Sequence, residues 1–382
     1  MRVSRLGLED FRSYAEVDLT LARGTTALVG ANGAGKTNLL EAIHLAARGD
    51  SPRAHDDTEM VRWGTTTARV RIEVDRPEGQ RRIELVLFSP PEGERRRPRR
   101  YLLDGAGKRP DDLAGELVVV AFFPEDVALL GAAPSARRRY LDAMLAQIER
   151  AHRRETREFQ RVVEQRNALL RVARDELEVP EAEMAFWDRE LVRLASSISL
   201  RRARVVAELV EPFREASAQF AGATLSPLAE PLPPGLDLAY GGQVQGDSVE
   251  ERTAAYEVLL GEKRERERWQ GATLVGPHRD DLLVTAGGRD LPSFASRGEH
   301  RSAVLALKLA EASWLRSRVG SPPVFLLDDV LSELDPSRRD ALARAIPEDA
   351  QALVTAAMTT ALPDTLRDRA AIIPVRRGEV GR

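Results

Sequence analysis

Two stretches of the chain begin as short apolar runs and break at once into polar chemistry. Residues 27–43, ALVGANGAGKTNLLEAI, start as a buried strand and turn through three glycines. From about Lys36 their apolar positions take helical spacing. Residues 324–335, VFLLDDVLSELD, start as a strand apolar on both faces and end in Asp328, Asp329, Glu333 and Asp335. Between these stretches the periodicity changes several times. RVRIEVD (69–75) and RRIELVLF (81–88) alternate and flank RPEGQ, which predicts a β-hairpin. GELVVVAFF (115–123) predicts a further strand, and residues 135–173 turn helical and rich in arginine and glutamate. A second helical stretch runs from about Glu181 and is expected to break at Pro212. A Pro/Gly-rich segment at 226–246 precedes a helix near 249–269. Strand signals return in DDLLVTAGG, followed by a helix from about Gly298, the acidic strand, and two short strands in QALVT and AAIIPV. No sustained a/d heptad marks the helical middle, so a compact helical lobe is expected there rather than a long coiled coil.

Composition narrows the function classes. The chain has 382 residues, 43% of them hydrophobic, which suffices for a large core and two lobes. It has no cysteine, which excludes disulfides and thiolate metal sites. No apolar run approaches membrane-spanning length, so a cytosolic protein with no membrane partner is expected. Lys and Arg number 57 against 60 Asp and Glu, a net charge of −3, so any nucleic-acid surface must be local. Lysine occurs only at 36, 108, 263 and 308.

Lys36 completes a P-loop, G-x-x-x-x-G-K-[ST], with Gly30, Gly35 and Thr37. The turn Gly30, Ala31, Asn32, Gly33, Ala34 and Gly35 lets backbone N–H groups converge on phosphate oxygens, and Asn38 follows in the first helical turn. Lys36 is expected on the β- and γ-phosphates of ATP and Thr37 on Mg²⁺. A P-loop requires an acid at the end of a neighbouring strand, and Asp328 fits as the second Mg²⁺ group. These halves, parted by a helical stretch, predict an α/β fold: an ABC-type P-loop ATPase head, mixed sheets around the P-loop helix, with an inserted helical lobe. The expected division is 1–123 and 271–382 for the head and 124–270 for the lobe.

Several stretches resemble the RecF family, related to SMC-type ATPase heads. They are EDFRSY (9–14), GANGAGKTNLLEAI (30–43), FFPEDVALL (122–130), RRRYLD (137–142), GPHRDDL (276–282), SRGEHRSAVLALKLAE (296–311) and FLLDDVLSELD (325–335). The resemblance spans nearly the whole chain in the family's order. It implies an ATP-dependent homodimer that binds gapped or single-strand/duplex junction DNA and acts with RecR and RecO to load RecA. It implies that Arg12 lies near the nucleotide; an ion pair with Glu9 or Asp10 is the alternative. Ser296, Gly298 and Glu299 open a helix with a phosphate-ready N-terminus, free to cap the γ-phosphate of a second subunit; simple N-capping by Ser296 is the alternative.

Departures from transporter-type ABC proteins suggest a slow timer rather than a motor. Asp329 stands where a catalytic glutamate is usual and would orient the attacking water. No histidine follows QALVT, and no Q-loop glutamine can be placed. Glu299 replaces an uncharged signature residue and is expected to turn toward Arg297, Arg301 or a bridging donor. Arg137, Arg138 and Arg139 open a helix, where the dipole disfavours cations. They need DNA phosphates or local acids such as Glu125, Asp126 and Asp142. The loop ERRRPRR (94–100) is a further basic candidate. Two other classes compete: the ATP-binding subunit of an ABC transporter, and a P-loop nuclease or kinase-like enzyme.

Overall fold

The computed structural model describes residues 1–89, 99–175, 179–221 and 235–381. Most of the arginine run at 94–100 and the 226–234 part of the Pro/Gly-rich stretch lie outside the described residues. The elements begin with β1 (Arg2–Phe11), β2 (Tyr14–Thr20), β3 (Thr25–Val29), α1 (Lys36–Arg48), β4 (Thr67–Arg76), β5 (Gly79–Phe88), β6 (Arg100–Leu103), β7 (Ala106–Lys108) and β8 (Val119–Phe122). Next come α2 (Pro134–Ala146), α3 (Arg150–Arg174), α4 (Glu181–Ala221), β9 (Leu236–Gly241), α5 (Val249–Gln270), β10 (Asp281–Ala286), β11 (Arg289–Asp290) and α6 (Leu291–Phe294). The last are α7 (Arg297–Val319), β12 (Val324–Leu327), α8 (Pro336–Ala345), β13 (Ala352–Ala356), α9 (Asp364–Arg367), β14 (Ala370–Arg376) and β15 (Glu379–Val380).

Two compact units form: Met1–Leu129 with Pro212–Pro234 and Ala295–Arg382, and Leu130–Glu211 with Gly235–Phe294. In the first, a six-stranded sheet has the order β15-β14-β3-β13-β12-β8, and all but β15 run parallel. Parallel strands covered on both faces need apolar residues at every position, which is why VFLL of β12 shows no alternation. The second sheet, β2-β1-β4-β5-β6-β7, is antiparallel and alternates. Val70 opposes Leu85 and Ile72 opposes Ile83, and this face joins Leu39, Leu40 and Ile43 of α1 in one core. Each of these fully buried side chains contributes about 2 kcal/mol. Buried Gln351 links the two sheets: its amide accepts from Val3 N (2.7 Å) and donates to the carbonyls of Val3 (2.8 Å) and Ala22 (2.9 Å).

The other unit is helical, with a small sheet β11-β10-β9. Its core gathers Phe159, Leu191, Leu194, Ile198 and Tyr256 from α3, α4 and α5. Buried Arg166 bonds Asp188 (2.7 Å) and Glu267 (2.6 Å) within it.

The grouping differs from a division at 123 and 270. β10 pairs along its length with β9, and residues 271–294 group with the helical unit rather than with the C-terminal part of the head. At the other boundary, Asp126 pairs with Lys308 of α7 (3.1 Å) and holds residues 124–129 in the head. The expected break at Pro212 is also absent, since α4 continues through it. A mid-helix proline costs about 3 kcal/mol. Leu209, Phe213, Ala216 and Phe220, all buried on the same helix, offset that cost.

Candidate nucleotide-binding site

The turn from β3 to α1 is shaped by sterics before chemistry enters. Gly35 is the N-cap of α1 at φ 108°, a left-handed conformation that glycine adopts without strain. Gly30 has a different reason: a Cβ there would stand 2.1 Å from the carbonyl oxygen of Val375 on β14. The loop is also held from outside, by Gly378 N donating to Ala34 O (3.0 Å) and Gly30 N to Ala356 O (3.1 Å). Lys36 folds back over the loop and donates from Nζ to the carbonyls of Gly30 (2.6 Å) and Ala31 (3.0 Å). Burial lowers its pKa, while Asp329 and Asp328 oppose that shift. The ammonium therefore sits in the cradle facing both acids.

Asp328 is 3% exposed, and its Oδ1 accepts from the hydroxyls of Thr37 (2.9 Å) and Thr355 (2.9 Å). Burial raises its pKa, against the lowering effects of those two hydroxyls and the charge of Arg53. A buried carboxylate beside the P-loop hydroxyl, destabilised by burial, fits a divalent cation. Among the described residues no cluster of three His, Asp or Glu could hold a metal alone. Mg²⁺ takes one or two protein ligands and fills its shell with phosphate and water, so Thr37 and Asp328 together could hold it. Asp329 is exposed, sits at φ 51°, and its N–H donates to Thr355 Oγ1 (2.8 Å). The two aspartates thus face different surroundings. Thr355, at the end of β13 where no histidine stands, touches both. Beyond them, Asp335 caps α8 by accepting from Arg338 N (3.0 Å), and Ser332 Oγ donates to Asp329 O (2.8 Å).

Arg12 pairs with neither Glu9 nor Asp10. Glu9 bonds Arg71, and Asp10 faces Arg62 at 3.5 Å. Instead Arg12, itself at φ 53°, donates from Nε (3.0 Å) and Nη2 (2.6 Å) to Glu41, one turn into α1 from Thr37. Glu41 is fully buried and also accepts from Arg53 Nη2 (2.6 Å) and Ser51 Oγ (2.5 Å). Arg53 in turn donates to Asn38 Oδ1 (2.9 Å). Two arginines are therefore fixed on one carboxylate at the mouth of the P-loop helix. Sequence reasoning missed Arg53 and Glu41. The available signal was an acid on the apolar face of α1, which requires a buried cationic partner.

The signature residues open α7. Ser296 is its N-cap: Oγ accepts from Glu299 N (3.3 Å), and Glu299 Oε2 accepts from Ser296 N (2.6 Å). This reciprocal capping box satisfies two helix-end donors locally. A Cβ at Gly298 would lie 3.4 Å from the guanidinium of Arg338 and 3.9 Å from Ser296 Oγ, so that arginine lies beside the helix end. Further along, α7 is tied into the head by two buried pairs. Lys308 meets Asp126 after β8, the strand next to β12, and Glu311 meets Arg48 at the end of α1. P-loop helix and signature helix are thus joined by charge.

The arginine triplet lies in the helical unit, and its members differ. Arg137 is buried, bidentate to Asp281 (2.8 and 2.5 Å), and donates to the carbonyls of Leu130 and Ala132. Its acid is therefore Asp281, not Glu125, Asp126 or Asp142, and its charge is internally spent. Arg138 is half-buried and donates to Asp280 O (2.7 Å). Arg139 is exposed.

Residues 2–378 match the family model for the RecF/RecN/SMC N-terminal domain. The chain is 40% identical to the DNA replication and repair protein RecF of Roseiflexus castenholzii, covering 94% of each chain. A solved structure of the recombination mediator protein RecF-ATPrS in the RecFOR pathway superposes with a TM-score of 0.86 at 25% identity, over 99% of this chain and 97% of that one. A solved Smc head bound to the C-terminal winged-helix domain of ScpA shares the fold at a TM-score of 0.53 and 18% identity, over 100% of this chain and 96% of that one.

Proposed function

Because the chain belongs to the RecF family of SMC-like ATPase heads, we propose that it binds MgATP and, as an ATP-dependent homodimer, binds DNA in replication and repair. Its targets are gapped or single-strand/duplex junctions, and its partners are RecR and RecO in loading RecA. The observation that carries the reading is the meeting of Thr37 and Thr355 on one oxygen of buried Asp328, with Lys36 held over the loop between Gly30 and the two aspartates. This is a site prepared for a triphosphate and one cation, and family membership sets the transporter reading aside.

The roles follow from the contacts. Lys36 exchanges two loop carbonyls for phosphate oxygens, a better match for an ammonium. Thr37 and Asp328 would hold Mg²⁺, which when bound neutralises charge on the phosphates. Asp329, exposed and fixed through its own backbone N–H, orients the attacking water. It is one methylene shorter than the usual glutamate, so turnover is slow and hydrolysis serves to release the dimer. Ser296 and Gly298 meet the second subunit's nucleotide from the N-terminal end of α7. Arg12 and Arg53, anchored by Glu41, supply positive charge beside the site.

Filter binding with gapped duplex DNA, with and without ATP, tests this. Binding should require ATP and weaken with salt at a log–log slope of roughly −5 if about six phosphates are neutralised. Equal, salt-insensitive retention without nucleotide would refute an ATP-dependent DNA clamp.

A further inference from the structure

Two motifs that the nucleotide site does not use, RRRYLD (137–142) and GPHRDDL (276–282), converge within the helical unit. Arg137 joins them through Asp281, and Arg138 through the carbonyl of Asp280. Asp142 is held by Arg202 (2.8 and 2.7 Å), which also donates to the carbonyl of Pro277 (2.6 Å). Between the motifs opens a cavity of about 330 Å³, walled by Ser135, Arg138, Arg139, Thr156, Gln160 and His278 and by the paired Asp142 and Arg202. Phe159, Val163 and Ile198 give it an apolar side.

The charges in this cavity do not balance. Asp142 is engaged by Arg202 and by His152 (2.9 Å). Asp280 accepts from Tyr240 and from Gln243 N, and Asp281 is taken by Arg137. No acid is left for the other two arginines. Arg139 has no hydrogen bond or ion pair among the described residues, and Arg138 has a backbone carbonyl. Burial and the charge of Arg202 lower the pKa of Arg138 despite the acids nearby. His278 adds no charge at neutral pH: burial first, then adjacent arginines, outweigh its backbone bond and bring its pKa to about 4. It stands as a neutral ring 5.6 Å from Phe159.

Two underused guanidiniums beside hydroxyls and an amide suit a phosphate. The apolar side and small volume suit what a nucleotide carries besides its phosphate. A duplex backbone, rigid and convex, does not enter a concavity of this size, whereas an unpaired strand can turn a nucleotide into it. We propose that this cavity takes one unpaired nucleotide of a DNA strand, its phosphate on Arg138 and Arg139 and its sugar and base against Phe159 and His278. The proposal rests on the DNA-binding reading above and adds to it the site that reads single-strandedness.

The test uses the full chain with MgATP and two substitutions at exposed positions, Arg139→Glu and Gln160→Glu, with circular dichroism to verify folding. The probes are oligothymidylate and a relaxed, covalently closed circular duplex. Each variant should lose about tenfold or more in affinity for oligothymidylate, the scale of one charge-assisted contact reversed. Affinity for the closed duplex should change by less than about twofold, as for one exposed charge outside the duplex footprint. A 5-iodouracil oligonucleotide should photocrosslink to Phe159 or His278. Unchanged oligothymidylate binding, equal losses on both probes, or crosslinks confined to other residues would overturn the cavity assignment. Wild-type protein that binds neither probe would overturn the DNA-binding reading itself.

Discussion

Replacing Glu41 by Gln isolates the charge at the centre of the Arg12–Arg53 cluster while keeping its shape. Glu41 is 0% exposed and accepts four hydrogen bonds, two from Arg12 and one each from Arg53 and Ser51. The amide keeps one accepting oxygen and points an NH₂ at a guanidinium, so at least one arginine contact becomes donor against donor. Hydrogen bonds to charged groups are worth about 1.5–3 kcal/mol each. The Arg53 side chain is 31% exposed, so solvent screening reduces its share, whereas Arg12 at 20% contributes most. A cost of about 3 kcal/mol is expected, at the lower end for breaking a buried ion pair. Because the chain has two units, a single unfolding midpoint would blur this cost. Hydrogen exchange of peptides covering α1 reads it locally, and those amides should exchange about a hundredfold faster. The pH dependence has a defined sign. Burial pushes the pKa of Glu41 up, but bonds from Arg12 and Ser51 and the Arg53 charge bring it below the ordinary value. Its stabilisation is therefore present above the unfolded-state pKa and lost as pH falls through the folded one. At acidic pH the wild type should approach the variant. Exchange in α1 within about threefold of wild type at neutral pH would refute the anchoring role, since about 0.6 kcal/mol is too little for it.

Lys36→Met should leave circular dichroism unchanged, because Nζ bonds two loop carbonyls rather than the core, and should abolish ATP binding by calorimetry. Asp328→Asn keeps an acceptor for both threonine hydroxyls and should fold normally while binding MgATP more weakly. Asp329→Asn suits φ 51°, a region asparagine tolerates, and should keep ATP binding, slow single-turnover hydrolysis and prolong the DNA complex. Hydrolysis at the wild-type rate would mean another group holds the water. Ser296→Arg should cost about 1 kcal/mol through the lost cap, retain ATP binding by the monomer, and prevent ATP-dependent dimerisation in sedimentation. In the helical unit, Arg202 and His152 outweigh burial and bring the Asp142 pKa from 3.8 to about 2. About 2 kcal/mol of stability, present above pH 4, should disappear as pH falls toward 2, and Asp142→Asn should remove that part of the acid titration.

The P-loop and its partner acid were legible in the sequence because their chemistry is local. A glycine turn between strand and helix has one common use, and a run apolar at every position requires a doubly covered strand. The pairing of Asp328 with Thr37 follows from that logic across 291 positions. The α/β class, the 69–88 hairpin and the helical lobe were legible for the same reason, since period and turn residues act over a few positions. Partner choice among 57 basic and 60 acidic residues was not. Any of several acids could have met Arg12 or Arg137; the packing of α1 against the turn between β1 and β2, and of α2 beside β10, selected Glu41 and Asp281. Tertiary structure alone also carried α4 through Pro212 and drew β10 to β9. These outcomes depend on burial and long-range geometry, and ion pairing in particular has no periodicity from which a partner can be read.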